Sequence, residues 1–159
     1  MRQPRIRMFA GPNGSGKSTI KENLLPHQIG AYLNADELEK QLSSSPILSL
    51  DDYHRDLSAV ALINFLKQKQ KKQANETIAL LSIEPLITDD GLIVFAPSEI
   101  DSYLCARIID FIRFEFLRLK ISFTFETVMS HVSKVELLRE AQKQGFKTYL
   151  YYVATVDPQ

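Results

Sequence analysis

Short apolar runs alternate along this chain with longer stretches in which apolar residues return every three or four positions. The first run, Arg5-Ile6-Arg7-Met8-Phe9-Ala10, predicts a strand that leads directly into glycines. A helical pattern follows from Lys17 to about Leu25, where Pro26 is expected to stop it. Ala31-Tyr32-Leu33-Asn34 predicts a second strand, and Asp36 to Leu42 one or two helical turns before the loop Ser43-Ser44-Ser45-Pro46. From Asp51 to about Lys72, the spacing of Leu57, Val60, Ala61, Ile63 and Leu66 predicts a helix with one broad apolar face. Leu86-Ile87-Thr88 and Leu92-Ile93-Val94-Phe95 flank Asp90-Gly91, a pair suited to a tight turn. Pro85 and Pro97 bracket them, so a small exposed hairpin is expected rather than a central strand.

Ser102 to Leu119 predicts a helix whose apolar face carries Leu104, Ile108, Phe111, Ile112 and Leu119. Arg107, Asp110, Arg113 and Arg118 fall mostly on the opposite side. Ile121-Ser122-Phe123-Thr124-Phe125 predicts a strand ending at Glu126, and His131 to Gln144 a helix closed by Gly145. Lys147 to Thr155 is nearly continuous in apolar residues, the mark of a parallel strand covered on both faces. The recurrence of strand, helix and strand predicts an α/β protein with a mainly parallel sheet.

Composition narrows the class. A chain of 159 residues, 45% hydrophobic and 24% charged, fits one globular domain and argues against disorder. Nineteen basic residues balance nineteen acidic ones, so no net charge draws the chain toward nucleic acid or an anionic membrane. The single Cys105 excludes an internal disulfide and any cysteine-built zinc or iron–sulfur site. No apolar run approaches the roughly 20 residues of a membrane span, and the stretch after the N-terminus is too short for a signal peptide. A soluble, cytoplasmic protein is expected. His27, His54 and His131 show no metal-site spacing, and the run Lys67-Gln68-Lys69-Gln70-Lys71-Lys72 reads as a solvated helix end.

The strongest chemical signal is Gly11-Pro12-Asn13-Gly14-Ser15-Gly16-Lys17-Ser18, followed by Thr19. A glycine, four residues and then Gly-Lys-Ser, placed between a strand and a helix, is the pattern of a phosphate-binding loop. Glycines let backbone N–H groups turn inward as an anion nest at a helix start. In that chemistry Lys17 sets a charge on the β- and γ-phosphates of ATP, and the Ser18 hydroxyl ligates Mg2+.

In parallel α/β folds function gathers at the carboxyl ends of the strands. Asp36 lies just past the second strand, where it suits either a base for a substrate hydroxyl or a first-turn helix carboxylate. Glu126 and Thr127 follow the third predicted strand, where Glu126 suits Mg2+ through water, a phosphoryl acceptor, or plain surface exposure. Asp157, before Pro158, reads as a turn residue.

The segments Ala10 to Thr19, Asn34-Ala35-Asp36 and Phe125-Glu126-Thr127-Val128-Met129-Ser130, in that order, resemble the zeta-toxin family of P-loop kinases. Gly145-Phe146-Lys147 and Tyr152-Val153-Ala154-Thr155 look like the same family's next helix-to-strand unit. The resemblance implies a single kinase domain over residues 1–159, of three-layer P-loop kinase fold, with the region of about 73–101 as an insertion carrying the hairpin. It further implies transfer of the γ-phosphoryl group of ATP to a hydroxyl of a sugar nucleotide such as UDP-N-acetylglucosamine, with Mg2+ bound and an antitoxin protein as partner. Carried over residue by residue, Lys17 and Ser18 serve the nucleotide and Mg2+, Asp36 is the base, and Glu126 with Thr127 face the acceptor. Such kinases bear phosphate-clamping arginines on a segment beyond the last strand, and this sequence reaches Asp157-Pro158-Gln159 where that segment is expected. Two other readings therefore stand beside the first: a nucleotide-binding module without turnover, and a P-loop kinase for another small hydroxyl acceptor.

Overall fold

The computed structural model describes residues 2–73, 83–128 and 132–154. The chain divides into two units, Met1–Asn34 with Phe116–Gln159, and Ala35–Glu115. The first is built on β1 (Arg5–Ala10), buried at every position after Arg5. β1 pairs in parallel with β6 (Phe123–Thr127) on one side and β7 (Lys147–Tyr152) on the other. β2 (Ala31–Leu33) pairs in parallel with β6, so the order is β2-β6-β1-β7. This is the α/β class with a mainly parallel sheet that the sequence predicts. From β1 the chain crosses to the far side of β6, and from β6 it crosses to the far side of β1. Connections leaving these two neighbours in opposite directions open a crevice at their carboxyl ends.

Side chains alternate across the strands and give the sheet two different faces. On one, the Arg7 guanidinium lies 4.9 Å from the centre of the Tyr149 ring, and Phe9 stacks on Tyr151 at 4.8 Å. The short helix α2 (Pro26–Ile29) covers this face. Arg7 donates to the Gln28 carbonyl, and the fully buried Thr124 hydroxyl donates to the Ile29 carbonyl at 2.5 Å. The opposite face is apolar. Phe123 and Phe125 are buried there, and the ring of Phe116, in the last turn of α5 (Ser102–Leu119), lies 5.8 Å from that of Phe123. Helix, sheet and helix make three layers.

Several boundaries differ from the expectation. α1 (Lys17–Glu22) ends before Leu25, and Pro26 opens α2 instead of closing α1. A proline at the first helical position gives up an N–H that no helix bond needs. α6 (Ser133–Lys143) closes as predicted on Gly145, whose φ is +90°. Gly145 N–H donates to Gln142 and Phe146 N–H to Ala141, each at 3.0 Å, so two end carbonyls are satisfied and Ala141 meets Phe146 in the core. β7 is not covered on both faces: it is an edge of the described sheet, with Leu150 51% and Tyr152 64% exposed. Its apolar run is rich in tyrosine, whose ring accepts a wet position that an aliphatic side chain would not.

The second unit holds α3 (Ala35–Ser44), α4 (Ala59–Gln73), most of α5, and an antiparallel sheet of order β3-β5-β4. Its strands are β3 (Ile47–Leu48), β4 (Leu86–Ile87) and β5 (Ile93–Val94). The Asp90-Gly91 turn forms as predicted, with Gly91 N–H donating to the Thr88 carbonyl and Thr88 N–H to that of Leu92, both at 2.9 Å. The hairpin is not uniformly exposed, however. β5 is the central strand, paired on its other side with the unforeseen β3, and Ile93 and Phe95 are buried. α3 runs on to Ser44, through part of the predicted loop, and α4 starts at Ala59 rather than Asp51. Leu50–Asp52 form a separate 3-10 turn.

Arg107 and Arg113 of α5 are buried, contrary to a reading that set them opposite the apolar face. Arg107 donates to the Leu66 carbonyl and Arg113 pairs with Asp110, so each guanidinium keeps a partner inside. Burial pushes the Arg113 pKa down to about 10. Cys105 is fully buried as expected of a small hydrophobe; burial first, then Glu39 and Asp101, pushes its thiol up to about 12. No helix among the described residues is long and apolar enough to cross a membrane. Residues 74–82 of the expected insertion, Met129, Ser130 and His131, and Thr155 to Gln159 with Asp157 lie outside the described residues.

Candidate functional site

The predicted phosphate loop leaves β1 at its carboxyl end, at the crevice between β1 and β6. It is tied to the sheet on both sides. Gly11 N–H donates to the Thr127 carbonyl at 3.2 Å, and Val153 N–H donates to the Ala10 carbonyl at 2.8 Å. A Cβ on Gly11 would stand 2.3 Å from the Val153 carbonyl oxygen, so only glycine fits where the loop begins. Ser15 N–H donates to the Pro12 carbonyl at 3.2 Å and closes the turn. Gly16, at φ +92°, then starts α1, and its carbonyl accepts the Ile20 N–H at 3.3 Å.

Gly14 and Gly16 have positive φ and no heavy atom within 4 Å of a Cβ position. Space is therefore open beside both positions, as a glycine-rich loop that takes an anion on its N–H groups requires. Lys17 is buried at the base of this loop, 8% exposed. Its ammonium donates to the Gly11 carbonyl at 2.6 Å and to the Pro12 carbonyl at 2.9 Å. Ser15 Oγ is buried with no hydrogen-bond partner among the described residues, which is costly unless a ligand completes it. Pro12, Asn13, Gly14, Gly16, Ser18 and Thr19 are exposed.

β6 begins two residues later than predicted and runs on through Thr127, so Glu126 and Thr127 are its last two residues. Thr127 stands in register with Ala10, and its carbonyl anchors Gly11 as described. Glu126 stands in register with Phe9. Its Oε2 accepts from Asn34 Nδ2 at 3.3 Å, and its Oε1 is buried with no partner among the described residues. Asn34 Nδ2 also lies 3.2 Å from the Tyr32 hydroxyl, and the Lys21 ammonium of α1 sits 3.5 Å from the centre of the Tyr32 ring. Tyr32, Asn34 and Glu126 thus occupy the α1 face of the sheet.

Asp36 is exposed in the first turn of α3, in the second unit. A carboxylate there complements the positive end of the helix. The residues that the first unit brings together are the loop, Lys17, Thr127, Glu126 and Asn34. Asn34 carries no role in the sequence reading, although it lies just past the end of β2 and two positions from Tyr32, a spacing that puts both on one face. Among the described residues no group of three or more His, Cys, Asp or Glu side chains is placed to hold a metal.

No protein-family model matches this chain, and no curated protein matches it. Among solved structures the fold is similar to a chain from the molecular and structural characterization of the PezAT chromosomal toxin–antitoxin system of the human pathogen Streptococcus pneumoniae, at a TM-score of 0.55 and 12% identity. The likeness covers 99% of this chain and 50% of that one, so this chain spans half the length of its neighbour. At that identity what is shared is the fold: a distant structural likeness to a chain from a toxin–antitoxin system.

Proposed function

We propose that this chain binds ATP with Mg2+ at residues 11–19 and transfers the γ-phosphoryl group to a hydroxyl of a sugar nucleotide such as UDP-N-acetylglucosamine, as a kinase of zeta-toxin type. The observation that carries the reading is the pose of Lys17. A buried ammonium held between the Gly11 and Pro12 carbonyls stands at the base of a glycine-rich loop with open space beside Gly14 and Gly16, which suits a polyphosphate. The unpartnered Ser15 Oγ supports the same conclusion, because a phosphate oxygen supplies the bond it lacks. Binding by α/β folds at a switch point supports it in general terms.

Each residue then has one task. The loop N–H groups and Lys17 hold the phosphates; the Ser18 hydroxyl would be the protein ligand for Mg2+, and Glu126 would hold its hydration shell. Mg2+, when bound, offsets phosphate charge. The acceptor oxygen forms a bond to the γ-phosphorus, the bond to the β–γ bridging oxygen breaks, and ADP leaves. Asp36 takes the hydroxyl proton. Thr127 lines the acceptor side. An antitoxin-like protein is the expected partner, by analogy with the system to which the structural neighbour belongs.

The test is incubation with Mg–ATP and UDP-N-acetylglucosamine, followed by mass spectrometry for ADP and a phosphorylated sugar nucleotide. The product is expected from the unaltered chain and not from folded Lys17→Ala or Asp36→Asn. ATP binding without product on this acceptor contradicts the sugar-nucleotide reading, and ATP binding without product on a wider panel of hydroxyl compounds contradicts the kinase reading as well.

A further inference from the structure

The Glu126 carboxylate is held asymmetrically. One oxygen, Oε2, accepts from Asn34 Nδ2 at 3.3 Å, while Oε1 is buried and has no partner among the described residues. A buried carboxylate oxygen without a donor forfeits hydration and is retained at a cost unless something binds it. The Asn34 amide is itself braced, since the same Nδ2 lies 3.2 Å from the Tyr32 hydroxyl and the Tyr32 ring sits under the Lys21 ammonium at 3.5 Å. Lys21 lies one helical turn from Lys17 on α1, and the loop joins β1 one residue beyond Phe9, the register partner of Glu126. The chain Lys21, Tyr32, Asn34, Glu126 therefore runs across the sheet face that carries the start of α1.

We infer that Asn34 is a positioning residue: by holding Oε2 of Glu126 it presents Oε1 to the hydration shell of the Mg2+ that accompanies the nucleotide. The inference rests on the nucleotide reading above and adds to it a residue with no contact to the nucleotide. An amide suits the task. It donates to the carboxylate without adding a charge, whereas an aspartate at the same point would repel Glu126. Groups that orient the immediate surroundings of a metal change its affinity by roughly 10- to 100-fold when removed.

The experiment measures ATP affinity with Mg2+ and again with the metal chelated, by titration calorimetry, for the unaltered chain, Asn34→Leu, Glu126→Gln and the double variant. Leucine keeps the branched shape of asparagine, though it is larger, and removes its donor. Asn34→Leu is expected to weaken the affinity gained from Mg2+ about tenfold, with metal-free affinity unchanged. In the Glu126→Gln background, adding Asn34→Leu is expected to cost nothing further, because the two act through one carboxylate. Equal losses with and without Mg2+ mean a general structural role and overturn the inference. So does a full additional loss in the double variant. If Asn34→Leu fails to fold, Tyr32→Phe, which removes the hydroxyl bracing the Asn34 amide, replaces it, with a smaller Mg2+-selective loss expected and an unchanged Mg2+ increment overturning the inference. ATP that binds the unaltered chain in neither condition overturns the nucleotide reading itself, an outcome distinct from the others.

Discussion

Gly11 and Val153 approach so closely that a methyl group on Gly11 would lie 2.3 Å from the Val153 carbonyl oxygen. The contact joins the start of the phosphate loop to the end of β7, and both partners are backbone, so neither can swing away. The loop is thus not merely a flexible glycine-rich turn; its first residue is clamped between Thr127 and Val153.

Gly11→Ala is accordingly expected to destabilise the fold by about 1–3 kcal/mol, the range for forcing extra volume into packed structure. Gly14→Ala meets no neighbour and bears only the strain of its φ of +75°, about 1–2 kcal/mol. Urea denaturation followed by circular dichroism compares the two. A Gly11→Ala variant as stable as the unaltered chain contradicts the clamp.

Thr124 ties the sheet to α2 through one bond. Its fully buried hydroxyl donates to the Ile29 carbonyl at 2.5 Å, and valine in its place keeps the volume but leaves that carbonyl without the donor. Thr124→Val is expected to cost about 1–3 kcal/mol, the range for a buried polar group left unsatisfied. Thermal unfolding of the two proteins measures it, and an unchanged midpoint argues that water replaces the lost donor.

The elements legible in the sequence are those whose signal is local. The phosphate loop is legible because its glycines, lysine and serine stand at fixed spacing, β1 because a short apolar run marks it, and α6 because a glycine cap marks its end. What escaped depends on distant partners. β3 is a strand only because β5 lies beside it, and two residues carry no period of their own. Arg107 and Arg113 read as solvent-facing because nothing local to α5 reveals the Leu66 carbonyl or the burial of the Arg113 side chain. Glu126 is legible as a candidate, but its bond to Asn34, 92 positions earlier, follows only from the pairing of β2 with β6.

Cys105 gives a prediction for alkaline pH. Its folded pKa is raised from 9.0 to about 12, chiefly by burial, so above pH 9 the unfolded chain releases a proton that the native protein keeps. Stability is therefore full below pH 9 and falls as pH rises from 9 toward 12, by at most about 1.4 kcal/mol per pH unit. Cys105→Ala is expected to flatten that decline, leaving between pH 10 and 12 the similar contribution of Tyr53, whose pKa burial and then Asp52 raise to about 12. Urea midpoints at pH 8, 9 and 10 read the slope, and identical slopes in the two proteins contradict the assignment.

The loop at residues 11–19 is expected to hold ATP through Lys17, and calorimetric titration of Mg–ATP is the test. Saturable binding at one site is expected, weakened by about 10- to 100-fold in Lys17→Ala, the equivalent of losing charge-assisted hydrogen bonds worth roughly 1.5–3 kcal/mol. Circular dichroism confirms that the variant remains folded. No binding to the unaltered chain, or equal binding to a folded Lys17→Ala variant, contradicts the account.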